Sequence, residues 1–483
     1  MKTKQALNPY MPSWEYVPDA EPHVVGDRVY VYGSHDLFNG LNFCLGDYVC
    51  WSAPVDDLGN WRYEGCIFKR EQDPAAPRIR LTNGLAAPDM VQGPDGRFYL
   101  YYFMGGTKMI SVAVCDKPAG KYEFYGYVKY SDGTPIGKKN EPFQFDPGIF
   151  MDDDGKLYLY TGFALAGNPI LLDGSKPTEH GAMCFELDPS DMLTVLTGPG
   201  YIGIAGDKEA PGTPYEGHAF LEASSMRKFG DTYYFIYSSK NSHELCYATS
   251  DNPTSGFQYG GILVSNGDIG LPGVTDVKHA KNYTGNTHGS LIEINGKYYI
   301  FYHRHSNRKQ SSRQAVAEEI RFENGKFYQA EMTSCGLNAG PLEGKGTYST
   351  CIACNLYGKN GTRFLSMIKH PKGGYPYLTQ DGGDREEGPD QYIANMCDGA
   401  VAGFKYFDLT GTKGICVNVK GRASGTLYIR TEEKGAPAAK IEIRPSKAVT
   451  GFKASIKALG RKQALFFTFE GKGSFDFISF QLS

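Results

Sequence analysis

Asp95-Gly96-Arg97-Phe98-Tyr99-Leu100-Tyr101 and Asp154-Gly155-Lys156-Leu157-Tyr158-Leu159-Tyr160 are nearly the same seven residues, written twice. Each is a tight-turn pair followed by alternating aromatic and aliphatic residues, the signature of a hairpin turn entering a strand. Three more copies occur: Gly26-Asp27-Arg28-Val29-Tyr30-Val31-Tyr32, Gly230-Asp231-Thr232-Tyr233-Tyr234-Phe235-Ile236-Tyr237 and Asn295-Gly296-Lys297-Tyr298-Tyr299-Ile300-Phe301-Tyr302. Aligned on Tyr30, Tyr99, Tyr158, Tyr234 and Tyr299, the copies recur every ~60–75 residues, a length that suits one four-stranded propeller blade with generous loops. Five units predict a five-bladed β-propeller over residues 1–340.

A β-sandwich with repetitive hairpins is the plainer alternative. A second pattern argues against it. Stepping back 10 to 12 residues from each aligned tyrosine reaches Asp19, Asp89, Asp146, Glu222 and His288. In a propeller the first strand of every blade lines the central channel, so one ionisable group per unit would converge on the axis. A sandwich has no such convergence.

Composition agrees with an all-β chain. The 483 residues include 60 Gly, 34 Tyr and 28 Phe, and helix-period runs are scarce. A net charge of −3 lacks the basic excess of a nucleic-acid binder. No apolar run reaches the ~18 residues of a membrane span. The N-terminus, MKTKQALNPYMP, has no apolar core of a secretory signal, which predicts a cytoplasmic protein. The 11 cysteines are odd in number and scattered, as expected of reduced thiols. Cys351 and Cys354 form a lone C-x-x-C without a matching pair, and a zinc site is not expected there.

Beyond about residue 340 the tyrosine rhythm stops. Short alternating strands follow, among them GICVNVKG, GTLYIRTE and QALFFTFEG, and they predict a β-sandwich of jelly-roll type over residues 341–483. The charged run Asp384–Glu387 reads as a solvated loop. With no low-complexity linker, the two parts are expected to pack together.

The chain has no Gly-rich nucleotide loop, no Walker motif, no His-Glu-x-x-His and no Gly-x-Ser-x-Gly. A ring of carboxylates without a cofactor motif suggests acid/base hydrolysis. Glycoside hydrolysis needs one protonated carboxyl for the leaving group and one ionised carboxylate for water or the sugar. A third carboxylate raises the acid's pKa by like-charge repulsion. Four carboxylates are on offer, and the residues alone do not distribute these roles.

Asn8-Pro9-Tyr10 with Val17-Pro18-Asp19, Ala86-Ala87-Pro88-Asp89, Phe145-Asp146-Pro147-Gly148, Leu221-Glu222-Ala223-Ser224-Ser225 and Thr287-His288-Gly289-Ser290 resemble the successive blade motifs of glycoside hydrolase family 43. The resemblance runs in order over about 320 residues. It implies a five-bladed propeller and an inverting enzyme acting on arabinofuranosyl, xylosyl and sometimes galactosyl linkages. It implies Asp19 as general base, Glu222 as general acid, Asp146 as the group tuning the acid, and Asp89 as a pocket residue. One departure stands out. This chain reads Asp19-Ala20-Glu21-Pro22 where the first motif usually reads Asp-Pro, so Glu21, on the same strand face as Asp19, competes for the base role.

His288, at the channel centre, is a candidate ligand for a calcium ion that the resemblance allows, or else a neutral imidazole closing the channel. His303 and His305 read as structural, and Asp152-Asp153-Asp154-Gly155 as a hairpin turn and not a calcium loop. Trp14 is a candidate subsite wall or an inter-blade packer. Trp61 reads as structural. Arg313 either reaches substrate from the last blade or makes a surface salt bridge. The C-terminal part resembles family 6-type carbohydrate-binding sandwiches, with Tyr375 and Tyr377 as possible sugar stackers but better suited to core packing. The leading expectation is an exo-acting α-L-arabinofuranosidase or β-xylosidase working on oligosaccharides. An endo-arabinanase and a non-catalytic glycan-binding propeller are the competitors.

Overall fold

The structure is a computed structural model that describes residues 4–76, 84–137, 141–164, 177–178, 180–384, 388, 391–457 and 459–483. Four antiparallel four-stranded sheets come first, each a meander in chain order. They are β1 (Glu21–Val25), β2 (Arg28–Tyr32), β3 (Tyr48–Pro54) and β4 (Arg62–Phe68); β5 (Leu85–Gln92), β6 (Phe98–Met104), β7 (Ile110–Cys115) and β8 (Glu123–Tyr127); β9 (Gly148–Met151), β10 (Leu157–Thr161), β11 (Met183–Leu187) and β12 (Val195–Tyr201); β13 (Phe220–Phe229), β14 (Thr232–Ser239), β15 (Glu244–Ser250) and β16 (Gln258–Ser265). A fifth sheet has three strands, β17 (Ser290–Ile294), β18 (Lys297–His305) and β19 (Arg313–Glu319).

The repeated strand is the second of each sheet, and its alternation explains how the sheets stack. On β6, Tyr99, Tyr101 and Phe103 enter the core shared with the third sheet, while Phe98, Leu100 and Tyr102 enter the core shared with the first. Period-2 alternation with both faces buried is what a propeller blade requires. Each aligned tyrosine faces the following blade. Tyr30, Tyr99, Tyr158 and Tyr234 join the cores between successive sheets, and Tyr299 joins the core between the fifth sheet and the first. That last core closes the ring.

Tyrosine is used here for both of its ends. The ring fills the inter-blade core, and the hydroxyl donates to a backbone carbonyl of the next blade: Tyr32 to Pro118 at 2.6 Å, Tyr101 to Met192 at 2.5 Å and Tyr160 to Pro253 at 2.9 Å. A buried hydroxyl needs such a partner. At the ring's seam, the side chain of Asn8 donates to the Ala317 carbonyl and accepts from the Ala317 N–H, so it stands in for a strand beside β19.

The remaining chain forms two facing sheets. One orders its strands 342–343, 401–408, 463–472, 424–430 and 439–443; the other orders 377–379, 392–397, 474–482, 414–421 and 446–455. Phe404, Phe467, Phe477 and Phe480 fill the space between them. All eleven cysteines are free thiols, and Cys351 and Cys354 are buried in separate apolar surroundings.

The two parts are joined by buried polar contacts. Arg304 on β18, 2% exposed, donates to the carbonyls of Ala353 and Cys351 and to Gln314 Oε1. The Tyr16 hydroxyl meets Gln380 and Gln391. Of the charged run, Asp384 is exposed and accepts the Phe38 N–H at 2.9 Å; residues 385–387 lie outside the described residues.

Candidate active site

Pairing between the first two strands of each sheet gives the register of the channel. Glu21 faces Tyr32, Asp89 faces Tyr101, Gly148 faces Tyr160, Ser225 faces Ile236 and Ser290 faces Phe301. These five residues are therefore equivalent. Two residues earlier stand Asp19, Ala87, Asp146, Ala223 and His288, the equivalent positions one step toward the mouth. The first four all have positive φ, 57°, 40°, 46° and 66°. That region is costly for residues other than glycine and clusters at functional sites. Here it turns the chain sharply where each blade begins.

The five ionisable residues marked by the sequence thus do not share one phase. Asp19, Asp146 and His288 do. Glu222 sits one residue earlier, on a stretch of β13 with register shifts on both sides of it. Asp89 sits two residues later, level with Glu21. The hairpin offset is 11 residues in sheets one, four and five but 12 in sheets two and three, so a fixed step back from the tyrosine blurs the two tiers.

In the upper tier, Asp19 Oδ1 accepts from Arg313 Nη1 at 2.8 Å, and its backbone N–H donates to His303 Nδ1 at 3.4 Å. His303 Nε2 is turned to the Asn286 carbonyl at 2.9 Å, which fixes the ring with Nδ1 as the acceptor. Burial pushes the Asp19 carboxyl up, but the charges of Arg313 and His288 outweigh it and hold it well below the usual carboxylate range. Glu222 behaves in the opposite way. Burial comes first, the charges of Asp146 and Asp19 add to it, and His288 opposes them; the acid is pushed up to about 8. Asp146 is itself raised by burial, against its partner His288, whose Nδ1 lies 3.5 Å from Asp146 Oδ2. Burial disfavours the His288 cation, yet Asp146, Asp19 and Glu21 pull its pKa up to about 9.

Arg313 corrects both expectations for it. It is buried, not at the surface, and its guanidinium is spent on two carboxylates: Nε and Nη2 bind Asp36 at 2.8 and 3.0 Å, and Nη1 binds Asp19. It holds Asp19 from behind. Asp36, in the chain between β2 and β3, carries no signal in the repeat, which is why sequence reasoning passed over it. Asp89 is also corrected. It is wholly buried, facing His23 Nε2 at 2.7 Å and the backbone N–H groups of Met90 and Ile149, and so is closed off from a pocket.

Glu21 lies in this lower tier, held by Arg227 and by Ser225 Oγ at 3.1 Å, and is raised to about 7 by burial and Asp89 against Arg227. Asp19 rather than Glu21 is the carboxylate kept ionised near the mouth. Trp14 is half-buried and packs on Trp51, ring centroids 6.5 Å apart, at the core between the fifth and first sheets. Trp61 packs tilted against Tyr10, ring centroids 4.6 Å apart, a structural role. His303 supports Asp19 as described, and His305 Nε2 meets Asn286 Oδ1 at 3.1 Å. The Asp152–Gly155 run forms the hairpin turn between β9 and β10.

As for an ion at the channel centre, Glu21 Oε1 is buried without a hydrogen-bond partner, and His288 Nε2 stands 4.0 Å from it. Calcium takes ~6–8 oxygen ligands, so these two atoms suit only an ion that keeps most of its water.

The family model for glycosyl hydrolases family 43 matches residues 15–327. The chain belongs to this family. The family 43 chain is 49% identical over 482 residues to a xylosidase/arabinosidase of Thermoclostridium stercorarium, with 99% of each chain covered. It is 29% identical over 326 residues to a xylosidase/arabinosidase of Bacteroides ovatus, covering 63% of this chain and 89% of the relative. Among solved structures, a family 43 arabinoxylan arabinofuranohydrolase from Bacillus subtilis, in complex with cellotetraose, shares the fold over 99% of both chains at 19% identity, TM-score 0.50. A family 43 β-xylosidase/α-arabinofuranosidase from a compost microbial metagenome, solved with xylotriose in calcium-free form, matches at 27% identity and TM-score 0.50 over 66% of this chain and 96% of its own. This family 43 propeller is a glycosidase.

Proposed function

We propose that this glycosidase removes terminal pentose, L-arabinofuranose or D-xylose, from hemicellulose- or pectin-derived oligosaccharides with inversion at the anomeric carbon. The observation that carries the reading is the split in protonation across one small site. At neutral pH Asp19 is ionised and Glu222 is protonated, the two states that an inverting reaction demands. Asp19 takes a proton from water as the water oxygen attacks the anomeric carbon. Glu222 gives its proton to the departing oxygen. Asp146 keeps Glu222 protonated until that moment, Arg313 keeps Asp19 ionised, and His303 holds its backbone in place. The names of the full-length relative at 49% identity and of the compost structure support pentosides as the substrates.

Exo action is supported by the name of the full-length relative, a xylosidase/arabinosidase, and the chain between β2 and β3 is fastened on both sides. The carbonyl of Phe38 accepts from Asn307 and Ser312, and Asp384 of the second part holds its N–H. A hydrated calcium ion would be held by Glu21 Oε1 and by His288 Nε2 only once His288 gives up its proton, and would then supply the positive charge beside Asp146 in place of the imidazolium. The C-terminal sandwich serves first as a wall of this site: Tyr377 is buried, with the Arg308 guanidinium 4.7 Å from its ring centre, and Tyr375 is half-buried with Arg363 at 3.7 Å.

Hydrolysis of a panel of nitrophenyl pentosides, followed by product analysis on arabino- and xylo-oligosaccharides, tests the reading. Release of single pentoses from chain ends is expected, with the opposite anomer appearing first in proton NMR. Internal cleavage into oligomers, or a retained anomer, would overturn it.

A further inference from the structure

The pocket's outer wall carries charge that the chemistry above does not use. Arg308 and Lys309 lie between β18 and β19. Facing them from the second part of the chain are Arg363, Lys369, His370 and Lys372. The two stretches are bound to each other. Arg308 Nη1 donates to the His370 carbonyl, the His370 N–H donates to the Arg308 carbonyl at 2.9 Å, and the Gln310 N–H donates to Ser366. Lys309 Nζ reaches the Gly40 carbonyl, and Lys369 Nζ lies 3.4 Å from Asn39 Oδ1 and 5.9 Å from the centre of the Phe38 ring. The Phe38 carbonyl accepts from Ser312, whose neighbour Arg313 holds Asp19. The basic rim therefore stands one loop out from the base.

Among the described residues, none of these six side chains is ion-paired with a carboxylate, in contrast to Lys228 or Lys405, which pair with two each. Of the acids beside the Phe38 loop, Asp36 is bound to Arg313 and Asp384 is turned to a backbone N–H. The cations crowd one another. Burial and then Arg308, Lys309 and Lys372 depress Lys369, while burial and then Arg363 and Arg308 depress His370. Acids temper only part of the cluster, Asp36 acting on Lys309 and Asp476 on Lys372, and clustered like charges are unfavourable unless an anion relieves them. Two exposed apolar side chains flank the rim, Leu41 at 70% and Ile368 at 80% exposure. Cations beside apolar surface match a sugar ring that bears a carboxylate: the ring's C–H face packs on the apolar groups, and the carboxylate meets the guanidinium and ammonium donors.

We propose that this rim is a subsite for a hexuronate, carried as a branch on, or a neighbour of, the pentose unit being removed. The proposal rests on the pentose-releasing reading and names an acidic class of its substrates. Glucuronate on xylan and galacturonate in pectin share this chemistry.

The test compares kcat/KM for pentose release from three oligosaccharides of equal length: unsubstituted, glucuronate-branched and galacturonate-bearing. It uses wild-type enzyme and the double variant Lys369→Glu with Lys372→Glu, both exposed residues outside the Asp19–Glu222 network. An exposed charge contact is worth up to about fivefold, so reversal of two is expected to lower the acidic-to-neutral ratio by about tenfold or more. The neutral substrate should stay within about twofold. Roughly 0.5 M salt should erode the wild-type preference, because screening shortens its range. The uronate whose ratio responds identifies the source. Calorimetric binding of the two acidic oligosaccharides to Glu222→Gln and to the same variant carrying the two lysine reversals gives a readout independent of turnover. Ratios unchanged by the reversal, with acidic and neutral oligosaccharides bound equally, would overturn the proposal. Loss of activity on every pentoside, with acidic binding intact, would sink the pentosidase reading instead.

Discussion

Replacing Asp146 by Asn removes one negative charge from beside Glu222 and leaves the shape of the site intact. Glu222 is pushed up to about 8 by burial first and by Asp146 next. At ~6 Å and an effective dielectric of ~20, a unit charge contributes ~2.8 kcal/mol, which is ~2 pKa units at 1.36 kcal/mol each. Two effects reduce this. Glu222 keeps some contact with solvent, and His288 loses the partner that does most to keep it charged, so less positive charge is left to favour the Glu222 carboxylate. A net fall of ~1 unit remains. A general acid works while protonated, so activity is lost as pH rises through its pKa. The alkaline limb of kcat/KM should therefore move from about 8 to roughly 7. The assay is a pH profile on a nitrophenyl pentoside, read beside Asp89→Asn, which alters a charge in the lower tier and should leave the limb in place. An unmoved limb in Asp146→Asn, or a moved one in Asp89→Asn, would refute the assignment of the modulator.

Glu222→Gln should reduce turnover of an oligosaccharide by ~10²–10⁴-fold, the usual worth of general acid catalysis, and a nitrophenyl pentoside by much less, since that leaving group departs with little protonation; paired kinetics on the two substrates check this. Asp19→Asn should depress both substrates alike, because water must be activated whatever leaves. Arg313→Met strands Asp36 and Asp19 as buried charges and should cost ~3–5 kcal/mol of stability, read as a drop in the denaturation midpoint at neutral pH. Tyr101→Phe leaves the Met192 carbonyl without its donor and should cost about 1 kcal/mol with activity nearly unchanged.

The propeller was legible because its stabilising element is local and repeated. A turn pair followed by alternating aromatics states in seven residues which faces are buried, and tyrosine hydroxyls tie the first three blades to their successors. The catalytic tier was only partly legible. Asp19 and Asp146 stand at fixed positions before a strand, but hairpin offsets of 11 and 12 residues cannot be told apart without the pairing. Asp89 was consequently read one tier too high. Arg313 and Asp36 meet across 277 residues, from the last sheet and from a loop of the first, and no periodicity records such a meeting. Whether a carboxylate is kept ionised or protonated depends on these distant neighbours, so the division of labour between Asp19, Asp146 and Glu222 came from family resemblance and not from spacing.

Arg304 bears on how such a protein can change over time. Its guanidinium is sealed inside the propeller's last blade, yet two of the groups it satisfies belong to the C-terminal sandwich. A gene that lost the sandwich would leave that guanidinium with Gln314 alone, and a foreign module grafted in its place would have to offer carbonyls at the same two points. The sandwich is thus not a detachable appendage to be shuffled among enzymes. In this chain it is coupled to the propeller through one buried guanidinium, so a substitution at Arg304 is expected to be felt at the Cys351–Ala353 turn and the reverse.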